Sequence, residues 1–279
     1  MSAQGGDALR VGGLDALRLA RSERGDGRHQ TVSARLAGRE VVIKIYGRKR
    51  GRLATGLRSF GHRFLVGKSA LDARARRDTE ARLLQLWAEH GFAVPRVLPL
   101  SLPEPIAEPY LVLERIEGGL VDARLRDPAA SGLEPALAAF ATAQSRRHDL
   151  AEKLREPGLV HAHPSFAHLI DRAGVFTYFD FEYAYTDARR IESLVDVELA
   201  GFIGSLQRAA GARAQGLLRE WLRGYTNRCR LERAASGGAI GRFRGLAGLS
   251  QWLPFLRGRG PRRLRQSVAA LGAALERSR

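Results

Sequence analysis

Leu159-Val160-His161-Ala162-His163-Pro164-Ser165-Phe166-Ala167-His168-Leu169-Ile170, followed downstream by Phe179-Asp180-Phe181-Glu182, is the stretch on which the reading of this chain turns. His161, His163 and His168 lie close together, and Pro164 stiffens the backbone among them. A turn at Asp171-Arg172-Ala173-Gly174 leads into a short apolar strand, Val175 to Phe179, which delivers Asp180 between two phenylalanines. A carboxylate in that position adjoins buried surface and needs a partner, which a magnesium ion or a lysine would supply.

Lys44 is the natural partner. The chain carries 46 lysines and arginines, of which only Lys44, Lys49, Lys68 and Lys153 are lysine. Where nearly every cation is written as arginine, a lysine inside an apolar strand is a chosen one. Lys44 sits in Val41-Val42-Ile43-Lys44-Ile45-Tyr46, a β-branched run suited to a strand. Its compact ammonium suits a phosphate as a point charge.

The bulk composition narrows the classes. At 279 residues, 44% apolar and 27% charged, the chain fits a globular protein with a substantial core. The single cysteine, Cys229, excludes an internal disulfide framework and a cysteine-rich zinc site. The N-terminal residues show no signal pattern, and no apolar run reaches the roughly 20 residues of a membrane span. A cytoplasmic location is expected. The net charge of +17 favours polyanionic partners, or else records an arginine-rich coding bias.

Residues 14–46 read as three strands: Leu14 to Ala20, Gln30 to Leu36 and Val41 to Tyr46, with turns at Gly25-Asp26-Gly27 and Gly38. A basic segment follows to Lys68, then a helical pattern over 69–90 that Gly91 stops. Two further strands are expected between Val94 and Arg115, ending at a hinge, Glu117-Gly118-Gly119. Beyond it, Leu133 to Ala143 and Arg146 to Leu154 give one or two helices, and 190–210, 212–235 and 262–277 give further ones. The expectation is an α+β, bilobed fold: a β-rich unit over 1–117 and a mostly helical unit over 118–279.

In their order and separation these pieces resemble the protein-kinase-like superfamily. More narrowly they resemble the bacterial lipopolysaccharide kinases that phosphorylate heptose or Kdo of the inner core. The resemblance is carried by Ile43-Lys44-Ile45-Tyr46-Gly47-Arg48-Lys49-Arg50 and Gly56-Leu57-Arg58-Ser59-Phe60-Gly61-His62-Arg63-Phe64. It continues through the helix with Ser69-Ala70 and Glu80, then Gly91-Phe92-Ala93-Val94-Pro95-Arg96-Val97-Leu98, Leu113-Glu114-Arg115-Ile116-Glu117-Gly118 and Asp180-Phe181-Glu182. It spans roughly residues 14–205.

The resemblance implies ATP and Mg²⁺ as cofactors. Lys44 would hold the nucleotide phosphates and Glu80 would orient it; Glu114 would lie at the nucleotide hinge, Gly25 and Gly27 would cover phosphates, and Asp180 would hold magnesium. It also exposes two departures. His163 stands where the superfamily places its proton-accepting aspartate, and His168 where it places a magnesium-binding asparagine; the preceding motif histidine is kept as His161. Three readings stay open. The loop has decayed and the protein is a nucleotide-binding pseudokinase; or His163 itself is the base, since a free imidazole titrates at about pH 6.5; or His161, His163 and His168 bind a transition metal. Against the last, no carboxylate completes the set locally.

Two segments bear on partners. Residues 47–68 are basic and aromatic, and Phe243 to Arg257 mixes glycines, Trp252, Pro254 and arginines in a manner suited to a membrane interface. If both face one side, the protein would sit peripherally on the inner face of the inner membrane, against an anionic glycolipid such as lipopolysaccharide core, or a partner protein. An RNA-associated atypical kinase is the basic alternative, but nucleic acid is not expected, because no recognised RNA-binding signature is present.

Overall fold

A computed structural model of the chain describes residues 30–47, 72–103, 105–237 and 260–277. The expected strand at 14–20, the turn with Gly25 and Gly27, most of the basic segment 47–68 and the segment 243–257 lie outside the described residues.

Strands β1 (Gln30–Leu36) and β2 (Arg39–Ile45) form a hairpin closed by Ala37 and Gly38, both at positive φ (48° and 75°). Two successive left-handed residues make the turn whose twist matches a two-residue hairpin. Strand β3 (Tyr110–Glu114) pairs antiparallel with β2, in the order β1-β2-β3. The period-2 alternation of β2 then sets the site. Val41, Ile43 and Ile45 pack with Leu102 and Val112 in a small cluster of their own. The alternate residues Val42 and Tyr46 join the main core, and Lys44 shares their face.

Only one of the two strands expected between Val94 and Arg115 forms. Val97 makes an isolated bridge to Leu113, and the Leu98 N–H and Arg96 carbonyl bond to β3 at 2.8 Å each. Pro95 and Pro99 flank this stretch and remove the ladder donors a longer strand needs.

Helix α1 (Ala73–Glu89) starts at Asp72, whose Oδ1 accepts from the Ala75 N–H at 2.9 Å. Its buried stripe runs Arg76, Glu80, Leu83, Leu84, Trp87, so one helical face carries both a charged end and an apolar end. The apolar end enters the core, where the Trp87 Nε1–H donates to the Gly158 carbonyl at 2.8 Å.

The chain leaves the first sheet through Gly118, at φ 139°. A β-carbon there would lie 2.1 Å from the Asp171 carbonyl oxygen. Glycine is required by that close approach as well as by the dihedral. A second sheet follows, β4 (Gly119–Leu120), β5 (Leu169–Arg172) and β6 (Val175–Tyr178), in that order. The expected turn at 171–174 is a tight hairpin with Ala173 and Gly174 at positive φ, and it draws Leu169 and Ile170 into a strand.

The rest is helical: α2 (Val121–Arg126), α3 (Leu133–Leu154), α4 (Ile191–Ala210), α5 (Ala214–Gly224), α6 (Arg228–Ala235) and α7 (Gly260–Glu276). Residues 133–154 form one helix of 22 residues. The single helix expected over 212–235 is two. Gly224 presses so close to α3 that a β-carbon would lie 1.9 Å from the Ala138 carbonyl oxygen, and Asn227 starts a new helix by accepting from the Arg230 N–H. Among the described residues no helix is long and apolar enough to cross a membrane.

Candidate functional site

Strand β2, helix α1 and the loop after β6 bring their charged residues to one point. Lys44 Nζ lies 2.8 Å from Glu80 Oε2, 2.7 Å from Asp180 Oδ1 and 3.2 Å from Glu182 Oε1. The ammonium donates hydrogen bonds to Glu80 and Asp180, and Glu182 joins them as an ion pair. Tyr46, two residues along the same face of β2, donates its hydroxyl to Glu80 Oε2 at 2.6 Å. Arg76, one helical turn before Glu80, reaches Glu182 Oε2 at 3.3 Å and the Gly47 carbonyl at 2.7 Å.

The electrostatics follow from this packing. Burial opposes the Lys44 charge, but Glu80, Asp180 and Glu182 outweigh it and hold its pKa above the usual lysine value. Burial likewise opposes ionisation of Asp180, but Lys44, with His168 and His163 behind it, lowers its pKa to about 2. Burial pushes the Tyr46 phenol upward, and the Glu80 carboxylate pushes it further. Asp180 holds φ at 67°, a left-handed conformation that aspartate, like asparagine, adopts more readily than most residues.

Glu80, Asp180 and Glu182 each present an oxygen within 4.8 Å of the others. Among the described residues Lys44 and Arg76 pair with these carboxylates, and an all-oxygen donor set of this kind fits a hard divalent cation such as magnesium. Asp180 is the residue best placed to hold it: Oδ1 is taken by Lys44, while Oδ2 faces outward toward His168 Nε2 at 3.7 Å.

The loop residues part company. His161 is fully inside, its ring against Trp87, Tyr178 and Phe181, and burial lowers its pKa to about 4. Its backbone N–H donates to Glu198 Oε2 at 2.6 Å, and its Nδ1 accepts from the His163 N–H at 3.2 Å. His161 therefore shapes the loop and does not face a substrate. The His163 ring stacks on Tyr183, with centroids 4.8 Å apart and planes at 17°. His168 and Asp180 line the partly open side, at 27% and 29% side-chain exposure. The three imidazoles do not converge on one ion; among the described residues the one group of three or more metal-ligating side chains is Glu80, Asp180 and Glu182. Glu114 also stays apart, paired with Arg96 at 2.9 Å on the far end of β3.

Strand lysine, helix glutamate and the aspartate after the second hairpin thus meet in one charged cluster. The fold is α+β, a small sheet with its helix followed by a mostly helical part. No family model matches the chain, and no curated protein matches it. Among solved structures, the crystal structure of an aminoglycoside-3'-phosphotransferase of type VIII is similar over 82% of this chain and 98% of its own, at 18% identity and a TM-score of 0.40.

Several residues of the site escape a reading of the sequence. Glu182 and Arg76 complete the Lys44 cluster, and Tyr46 was legible only as a strand residue. Beneath the loop, Glu198 of α4 is wholly buried and gathers His161, Arg147 (Nη1 at 3.1 Å), Gln144 at 3.3 Å and His148 at 3.3 Å. Arg147 outweighs burial and holds the Glu198 carboxyl well below its ordinary range. The guanidinium of Arg147 lies 4.4 Å over the Trp87 ring, tying this network to α1. A glutamate inside an apolar helical run, Leu194-Val195-Asp196-Val197-Glu198-Leu199, was the available signal.

Proposed function

We propose that this chain binds a nucleoside triphosphate with a divalent cation at Lys44, Glu80, Asp180 and Glu182, and that its phosphotransfer is weak or absent. The observation that supports binding is the Lys44 ammonium held by three carboxylates, one from α1 and two from the loop after β6, an arrangement that positions a cation for phosphate and oxygens for metal. The observation against strong turnover is the loop itself. Residues 159–170 contain no carboxylate, and the His163 ring lies flat against Tyr183. Because phosphoryl transfer passes through a loose transition state, loss of the base lowers the rate more than it abolishes it. The sequence motifs shared with lipopolysaccharide kinases favour a role in envelope metabolism, with an inner-core sugar hydroxyl as acceptor and an anionic glycolipid surface as the place of work.

A thermal-shift titration with ATP and a divalent cation tests the binding. Stabilisation is expected for the wild type, and its loss in Lys44→Ala and Asp180→Asn. No shift, or one that survives both substitutions, removes nucleotide from the account.

The second reading makes His163 the base. It is favoured by the position of His163 beside His168, with ring centroids 6.2 Å apart, on the side of the loop whose charge reaches Asp180. Turnover of ATP with core-oligosaccharide acceptors separates the two. Turnover that collapses in His163→Ala supports the histidine base; robust turnover that persists there refutes both versions.

A further inference from the structure

A cavity of about 430 Å³ opens between β3, residues 97–100 and the first turns of α1. None of its lining residues belongs to the Lys44 cluster. Its size lies at the lower end of small-molecule sites, about 300–1,000 Å³.

One wall is apolar. Val97 is a large hydrophobic side chain left 39% exposed, and Leu98, Leu100 and Tyr110 are half-buried beside it. Pro99 ends the pairing of this stretch with β3 one residue after Leu98. Antiparallel alternation fixes what remains on the strand edge. The Val112 carbonyl points away from β2 and accepts from the Leu98 N–H, so the Tyr110 N–H, two residues back, points to the same side. Among the described residues no backbone carbonyl accepts from it.

The other wall is cationic. Arg74 and Arg77, three residues apart on α1, both line the cavity. Arg74 is exposed and makes no ion pair among the described residues. Arg77 pairs with its neighbour Asp78 at 2.6 Å, an exposed contact of the kind that contributes little. Its Nε is buried and has no hydrogen-bond partner. A buried N–H without an acceptor is costly, and an oxyanion on the guanidinium relieves it. The helix adds a reason of its own. The first turn of α1 holds no acidic residue, while Arg74, Arg76 and Arg77 crowd its positive end. Cations oppose the helix dipole there, and an anion favours it. Arg76 is matched inward by Glu182; Arg74 and Arg77 have only Asp78. Glu108 is the one carboxylate of the described lining, against two guanidiniums.

We propose that this cavity binds a small amphipathic anion, a phosphate or carboxylate on a compact apolar body. Arg74 and Arg77 take the oxyanion, and the apolar body lies on Val97, Leu100 and Tyr110. A bare anion gains nothing from the apolar wall, and a neutral apolar molecule gains nothing from the arginines. The site is separate from the nucleotide site proposed above and does not depend on it.

Calorimetric titration of the full chain with hexyl phosphate and with hexanoate tests this, beside inorganic phosphate and hexanol at one ionic strength. At least one of the two amphiphiles is expected to bind about 10-fold more tightly than inorganic phosphate or hexanol, and the tighter one names the head group. The double variant Arg74→Gln, Arg77→Gln is expected to weaken it by about 10-fold or more. Val97→Asp, at an exposed position, is expected to weaken it as well, and carries the test if the double variant does not fold. Lys44→Ala is expected to leave it unchanged, which separates this cavity from the nucleotide site. The proposal is overturned if neither amphiphile binds at millimolar concentration, or if inorganic phosphate binds as tightly. An affinity unmoved in the folded arginine variant or in Val97→Asp, or one lost in Lys44→Ala, overturns it equally.

Discussion

Replacing Glu198 by Gln keeps the shape of the side chain and removes its charge. Glu198 and Arg147 are both wholly buried. The substitution therefore strands a guanidinium in the core, with the Leu159 carbonyl, the Trp87 ring and a neutral amide for company. Breaking a buried ion pair from one side costs about 3–5 kcal/mol. Measured against a total stability of about 5–15 kcal/mol, that is a large fraction. Arg147→Met strands Glu198 instead and costs a similar amount. Removing both charges, as Glu198→Leu with Arg147→Met, takes partners from the His161 N–H, the Leu159 carbonyl and the Gln144 amide, at about 1–3 kcal/mol for each group left unpaired, but strands no charge. The double variant is thus expected to lose less than the sum of the two single losses. Denaturant unfolding of the three variants, read from midpoints and slopes, checks this. A double variant that loses the sum of the two single losses would refute the account of Glu198 as the counter-ion of Arg147.

Other expectations follow from particular contacts. His148 and His161 are buried neutral, burial being the main cause, with pKa values lowered from 6.5 to about 4. Between those values the unfolded chain binds protons that the folded one does not, so stability is full above pH 6.5 and is lost as pH falls toward 4. At 1.36 kcal/mol per pH unit the loss is about 3 kcal/mol for each histidine, and a stability profile flat over that window contradicts it. Gly118→Ala meets the Asp171 carbonyl and a φ of 139°, so a loss of about 1–3 kcal/mol or more is expected, whereas Gly119→Ala meets nothing within 4 Å and should change stability by under about 0.5 kcal/mol; equal losses in thermal unfolding would contradict the close approach. Tyr46→Phe removes the 2.6 Å hydrogen bond to Glu80 and should cost about 1.5–3 kcal/mol in denaturant unfolding; an unchanged midpoint would show that the bond contributes nothing.

The sequence made the frame of the site legible because its three members each follow from a local rule. Lys44 is a lone lysine in a β-branched strand, Glu80 lies on the buried stripe of a helix, and Asp180 ends an apolar strand. What joined them was order along the chain, and the structure brings them within hydrogen-bond distance. The parts that stayed hidden depend on contacts between distant segments. Arg76 and Glu182 meet only because α1 crosses behind the loop after β6, and Glu198 reaches His161 across a gap of 37 residues. The break between α5 and α6 has the same origin. Helical periodicity runs on through Gly224, and the closeness of α3 decides that it stops. Gly25, Gly27 and the two basic segments fall outside the described residues, and Glu114 pairs with Arg96 at the end of β3.

Lys44 has a consequence for how a ligand arrives. Its ammonium ties Glu80 of α1 to Asp180 and Glu182 of the loop after β6, and on the proposed function the same group would meet a phosphate. Entry is then an exchange. A phosphate gains Lys44 only as a carboxylate gives it up, and the affinity records the difference between the two contacts. A cation that takes over Asp180 loosens that tie first. On the proposed function the metal would arrive first and the nucleotide second, an order set by one side chain.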